Sequence, residues 1–149
     1  MPDAFSLQRI LVPIDGSESS FQAAKYAVRL AKIAKAEIIF MHAVVNPPYM
    51  DYKTPGNIIV HYIEEAKRHA QMWFADLGNF AEKEGLKFSS ESILDIASAA
   101  NSIVDYAEGK KVDLIVMGTK GRTGLKRFLL GSVAAGVVAH ASCSVLVVR

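Results

Sequence analysis

The sequence predicts an α/β domain with a five-stranded, mostly parallel sheet covered by helices on both faces. Short apolar runs rich in Val and Ile alternate with longer segments whose apolar residues recur at helical spacing. Such strands lack the polar alternation of a half-exposed sheet, so both of their faces are buried, as in sheets built from right-handed β-α-β crossovers. The alternation fills all 149 residues with no repeat and no linker, which makes 1–149 one domain.

The first strand is "RILVPI" (9–14), and "DGSESS" after it supplies turn chemistry and a helix cap near Ser17. A helix over 18–35 follows, with Phe21, Ala24, Ala27, Val28, Ala31 and Ala34 on its apolar face. "EIIFMHAVV" (37–45) is the second buried strand, and "NPPYMDYKTPGN" (46–57) is a loop by its prolines and glycine. A long amphipathic helix over 58–84 ends at Gly85, a natural left-handed terminator. "LKFSSESIL" (86–94) is more polar and fits a sheet edge. "SAANSIVDYAEGK" (98–110) is a helix, "VDLIVMG" (112–118) a strand, 132–141 a helix, and "SVLVVR" (144–149) the last strand.

Composition narrows the function classes. Apolar residues make up 51% and charged residues 21%, as in globular rather than disordered chains. The single cysteine, Cys143, excludes a disulfide framework and a multi-cysteine metal site, and fits a small buried hydrophobe. "MPDAFSLQRI" has no apolar signal core, so a cytoplasmic location is expected. Residues 129–148 carry no formal charge, but "HASCS" divides them into an alanine-rich and a valine-rich part, a short helix and a strand rather than a membrane span. Charge is uneven: 1–108 hold ten Lys/Arg against fourteen Asp/Glu, and 109–149 hold seven against one, Asp113. That asymmetry points to an anionic ligand near the C-terminal part, or to a solvated basic face.

In a parallel α/β sheet ligands sit at the carboxyl ends of the strands, where strand order reverses. Residues 13–17, 42–46 and 117–121 lie at such ends. The run "MGTKGRTGLKRFLLGSV" (117–133) has the spacing Gly118-x2-Gly121-x9-Gly131-Ser132 and contains no acid. Glycine after a strand permits close approach of backbone to ligand. Gly131-Ser132 opens a helix, whose free N–H groups and partial positive charge suit a phosphate. Lys120, Arg122, Lys126 and Arg127 can add attraction. Neither Gly-x4-Gly-Lys-Ser/Thr nor Gly-x-Gly-x2-Gly is present, which excludes the P-loop and gives no support to a dinucleotide fold.

This run, together with "ILVPIDGS" near the start and "SVLVVR" at the end, resembles the ATP-binding branch of the universal stress protein family, over essentially 9–149. The resemblance implies a Rossmann-like fold of the adenine nucleotide alpha hydrolase type and a regulatory, stress-response role. It implies that Asp15 accepts the ribose hydroxyls, that Pro13 shapes the adjacent wall, and that Ala43 meets the adenine edge through its backbone. Met117 and Gly118 would flank the ribose, and Gly121, Gly131, Ser132 and Val133 would face the phosphates with their amides. Lys120 stands where many relatives have histidine. Asp15 also reads, without any ligand, as a helix cap.

The implied ligand is ATP, with ADP or another adenine nucleotide as alternatives and Mg or Mn accompanying the phosphates. The implied assembly is a homodimer through the C-terminal strand, with a further protein partner unidentified. Slow metal-dependent ATP hydrolysis is the enzymatic alternative, but no nucleophile, base and orienting group stand out, and no catalytic or metal-ligating residue is assigned. Nucleic-acid binding through 120–127 is disfavoured because Phe128 is the lone aromatic beside the cations. His42 reads as structural, His61 and His69 are too far apart on their helix for a metal pair, and Trp73 reads as core or interface.

Overall fold

The computed structural model describes residues 5–47, 49–95, 98–120 and 130–149. Along them run β1 (Arg9–Pro13), α1 (Glu18–Ala34), β2 (Glu37–Val44), α2 (Gly56–Lys83), β3 (Phe88–Leu94), α3 (Ala99–Gly109), β4 (Leu114–Gly118), α4 (Ser132–His140) and β5 (Ser144–Val148). The five strands form one sheet in the order β3-β2-β1-β4-β5, and every neighbouring pair is parallel. This is the predicted architecture, with β3 and β5 at the two edges. No helix among the described residues is long and apolar enough to cross a membrane.

Strand periodicity divides the core into two layers. Ile10, Val12, Ile38, Phe40 and Val116 face α1 and α2, where they meet Ala24, Ala27, Val28, Phe74 and Leu77. Leu11, Ile39, Met41, Ile115 and Met117 face α3 and α4, where they meet Ile103, Ala107, Ala134 and Val137. The buried face of α1 follows the apolar spacing, except that Ala34 is exposed while Ser20 and Ala23 are buried. The buried stripe lies nearer the start of the helix because its first turn packs directly on the end of β4.

Helix ends account for the shifted boundaries. Gly85, at φ +73°, closes α2: its N–H donates to Glu82 O (2.9 Å) and Leu86 N–H donates to Ala81 O (3.0 Å). That motif occupies Leu86, so β3 starts at Phe88 rather than at 86. Val112 N–H likewise returns to Ala107 O (2.9 Å). Asp113 turns its carboxylate to the backbone N–H groups of Gln8 (2.8 Å) and Arg9 (2.9 Å), so β4 starts at Leu114.

Strand order reverses between β1 and β4. Their paired rungs are Ile10↔Leu114 and Leu11↔Ile115, whereas β1 runs on to Pro13 and β4 to Gly118. The carboxyl ends beyond those rungs flank the crevice in which ligands of such sheets sit.

Candidate functional site

The turn after β1 is built by its own side chains. Asp15 Oδ1 accepts from Ser17 N–H (2.9 Å) and from Ser17 Oγ–H (2.5 Å). Ser17 Oγ in turn accepts from Ser20 N–H (3.1 Å) and so caps α1. Ser17 is therefore the cap and Asp15 supports it. A carboxylate has about four acceptor positions, so this support is compatible with receiving a sugar hydroxyl. Gly16, at φ +82°, lies beneath Trp73, and a Cβ on it would collide with the indole.

Pro13, Asp15, Ala43 and Met117 are all odd-numbered, and alternation sets the strand members Pro13, Ala43 and Met117 on the α3/α4 face of the sheet. Met117 is buried there and Ala43 half-buried. Gly118 is the even-numbered exception. Its missing Cβ would strike Ser19 Oγ and stand 2.8 Å from the Ser19 backbone carbonyl, so close passage of α1 explains this glycine. Lys120 N–H lies 3.5 Å from the same Ser19 Oγ, which ties the chain leaving β4 to the start of α1.

The start of α4 is fixed by Thr119. Gly131 N–H donates to Thr119 O (2.7 Å), and Thr119 N–H donates to Val148 O (3.2 Å). The two ends of the glycine-rich run are thus tied together beside β5. Gly131 is the N-cap residue of α4 and is buried; its amide is committed to Thr119. The first intrahelical bond runs from Ala135 N–H to Gly131 O (2.9 Å), so the N–H groups of Ser132 and Val133 lie ahead of the helical ladder. Ser132 is exposed and Val133 packs partly on the α3/α4 core. Gly121, Arg122, Lys126 and Arg127 lie outside the described residues, so the basic run adds nothing to the geometry.

Residues outside the motif also shape the site. His42 is buried at 8% exposure, and its Nδ1 lies 2.7 Å from Ile14 O. A carbonyl only accepts, so Nδ1 carries the hydrogen. Trp73 sets its ring edge-to-face on His42, with centroids 5.2 Å apart. Thr119 and Gly16 had no signal of their own in the sequence beyond turn chemistry. Among the described residues no three metal-ligating side chains gather. A groove of about 520 Å³ opens at the opposite, amino-terminal end of the strands, between Arg9, Lys32, Lys35, Glu37 and Glu84. It holds the ion pairs Arg9–Glu37 (2.6 Å) and Lys32–Glu84 (2.7 Å) and none of the motif residues.

The Universal stress protein family model matches residues 6–149. A universal stress protein of Methanocaldococcus jannaschii is 40% identical over 144 residues, which cover 95% of this chain and 82% of that protein. The solved UspA of Lactobacillus plantarum has a TM-score of 0.89 at 26% identity, over 98% of this chain and 100% of that one. Two other solved chains are similar in fold. One is a universal stress protein in complex with cAMP (23% identity, TM-score 0.71, 95% of this chain and 97% of that one). The other, from Archaeoglobus fulgidus, is in complex with dAMP (21% identity, TM-score 0.68, 95% of this chain and 98% of that one).

Proposed function

Because the chain belongs to the universal stress protein family, we propose that it binds an adenine nucleotide, ATP foremost, at the carboxyl ends of β1, β2 and β4. It acts there as a nucleotide-dependent regulatory protein of the cytoplasmic stress response. The observation that carries this reading is the tie between Gly131 N–H and Thr119 O (2.7 Å), which joins the chain leaving β4 to the start of α4 beside the strand-order reversal. The cAMP and dAMP complexes of proteins with this fold agree with it.

In this reading Ser132 and Val133 offer amides to the phosphates, joined by Gly121, and Gly131 supplies close backbone approach. Lys120 adds positive charge. Asp15 takes the ribose hydroxyls while keeping Ser17 in place. Pro13, Met117 and Gly118 wall the sugar, and the Ala43 backbone meets the adenine edge. Mg or Mn arrives with the phosphates and is held through them. The bound nucleotide supplies a switchable anionic surface beside α4 for a protein partner.

Mass spectrometry of ligand released from the purified protein tests the reading, and an adenine nucleotide is the expected result. Gly131→Val should remove that ligand while circular dichroism stays unchanged, because φ −59° and ψ 156° at Gly131 suit any residue. A valine variant that still carries the nucleotide overturns the phosphate assignment. The protein is a homodimer joined along β5, an apolar edge strand. A monomeric mass at micromolar concentration would count against that assembly.

A further inference from the structure

We infer that His42 is a positioning residue: it draws the Ile14 carbonyl away from Ala43 and leaves the Ala43 N–H for the ligand. The inference rests on the nucleotide-binding reading and says how its base subsite is made. A parallel ladder repeats every two residues on each strand. In the β1–β2 ladder Glu37 N–H donates to Gln8 O (2.9 Å) at one end, and Ile14 N–H donates to Met41 O (2.7 Å) at the other. With the register constant from Arg9↔Glu37 to Pro13↔Met41, the next rung runs from Ala43 N–H to Ile14 O.

That rung is not among the backbone bonds of the described residues, although both of its partners are described. The Ile14 carbonyl instead meets His42 Nδ1 at 2.7 Å. The imidazole is held for this by burial and by the edge-to-face contact with Trp73 at 5.2 Å. The Trp73 indole also packs against Gly16, so one aromatic pair steadies both the carbonyl and the turn that carries Asp15.

The consequence is a backbone donor that points toward β1, the side on which the crevice opens. On its Watson–Crick edge adenine offers an acceptor at N1, where guanine offers a donor. A preset N–H therefore favours adenine, and an N–H consumed by the ladder favours neither base. His42 sets base choice without touching the base.

Two variants separate this from a packing role. His42→Phe keeps a ring against Trp73 and loses the donor, whereas His42→Asn loses the ring and keeps an N–H near the Nδ1 position. Amide hydrogen exchange is read first on the ligand-free protein. The Ala43 amide should exchange faster than that of Met41, and it should become protected in His42→Phe as the rung closes. ATP affinity should then fall about tenfold in His42→Phe, the size of one lost hydrogen bond, with GTP affinity unchanged. His42→Asn should recover most of the ATP affinity. An Ala43 amide as slow as that of Met41 in the unchanged protein overturns the inference, as does equal loss of ATP and GTP. ATP binding that is the same with and without His42 overturns the inference alone. Failure of the unchanged protein to bind ATP overturns the nucleotide-binding reading beneath it.

Discussion

Two glycines carry the sharpest consequences of this geometry. Gly118→Ala pushes a methyl group into Ser19, against backbone as well as hydroxyl, and α1 has to move for it to fit. The expected loss is about 1–3 kcal/mol in denaturant unfolding, the usual range for overpacking. Gly16→Ala adds left-handed backbone strain to a collision with Trp73, so about 2–4 kcal/mol is expected at that position. A variant at either position with unchanged midpoint and slope would refute the close contact. The place of Gly118 after a strand points to close ligand approach, and in the structure α1 also passes directly behind it. Contacts between Ser19 and Gly118 span about a hundred residues, and no local pattern encodes such a distance. The Asp15–Ser17 pairing was legible in part, since "DGS" after a strand announces a turn and a cap. Which of the two oxygens caps the helix depends on backbone angles that composition does not fix. Cys143 fits its expected role only in part: it is half-buried against the α3/α4 core, and burial pushes its thiol up from the usual range.

Element boundaries were legible to within about two residues because apolar periodicity and cap chemistry agree along most of the chain. Two-residue differences fall at the starts of β3 and β4, where helix-terminating hydrogen bonds consume residues that look like strand, and at the start of α2, which begins at Gly56 rather than at 58. α2 shows what amphipathicity alone leaves open. Its buried residues are Ala70, Phe74, Leu77, Gly78 and Ala81, all in its second half, while Ile58 and Val60 in the first are exposed. Pro55 at its N-cap position supplies no side-chain cap. Amides of 56–69 should therefore exchange faster than those of 70–83, and uniform protection along α2 would contradict this. α3 is tied to the edge strand by Tyr106, whose hydroxyl donates to Glu91 Oε2 at 2.8 Å. Burial raises the Tyr106 phenol well above its usual range, aided by the hydrogen bond and charge of Glu91. The folded state thus favours the protonated phenol more than the unfolded chain does. Stability from this group is complete below the unfolded tyrosine pKa, near 10, and declines as pH rises above it. Tyr106→Phe should be less stable at neutral pH and should lose less on going to pH 11, as read from urea midpoints.

The architecture of the whole molecule was the most legible level of all. Five strands separated by four helices admit few arrangements once crossovers are right-handed, and the observed order β3-β2-β1-β4-β5 is one of them. The position of β3 at an edge followed from its polarity. What pairs with the two edges was not legible, because an outward row of backbone groups looks the same whether water or a second chain covers it. The bond from Thr119 N–H to Val148 O turns the polar groups of Val148 toward β4, so those of Val145 and Val147 point outward. Val147→Pro removes one outward N–H and spares the β4 ladder. It should convert the proposed dimer to a monomer in light scattering with little change in fold, and an unchanged mass would place the dimer contact elsewhere. Finally, Trp73 is the only tryptophan in the chain, and it lies where α2 meets the Asp15 turn. The molecule therefore carries a single native indole, at the edge of its candidate site. Its emission can follow unlabelled ligand in real time, with no other indole to dilute the signal.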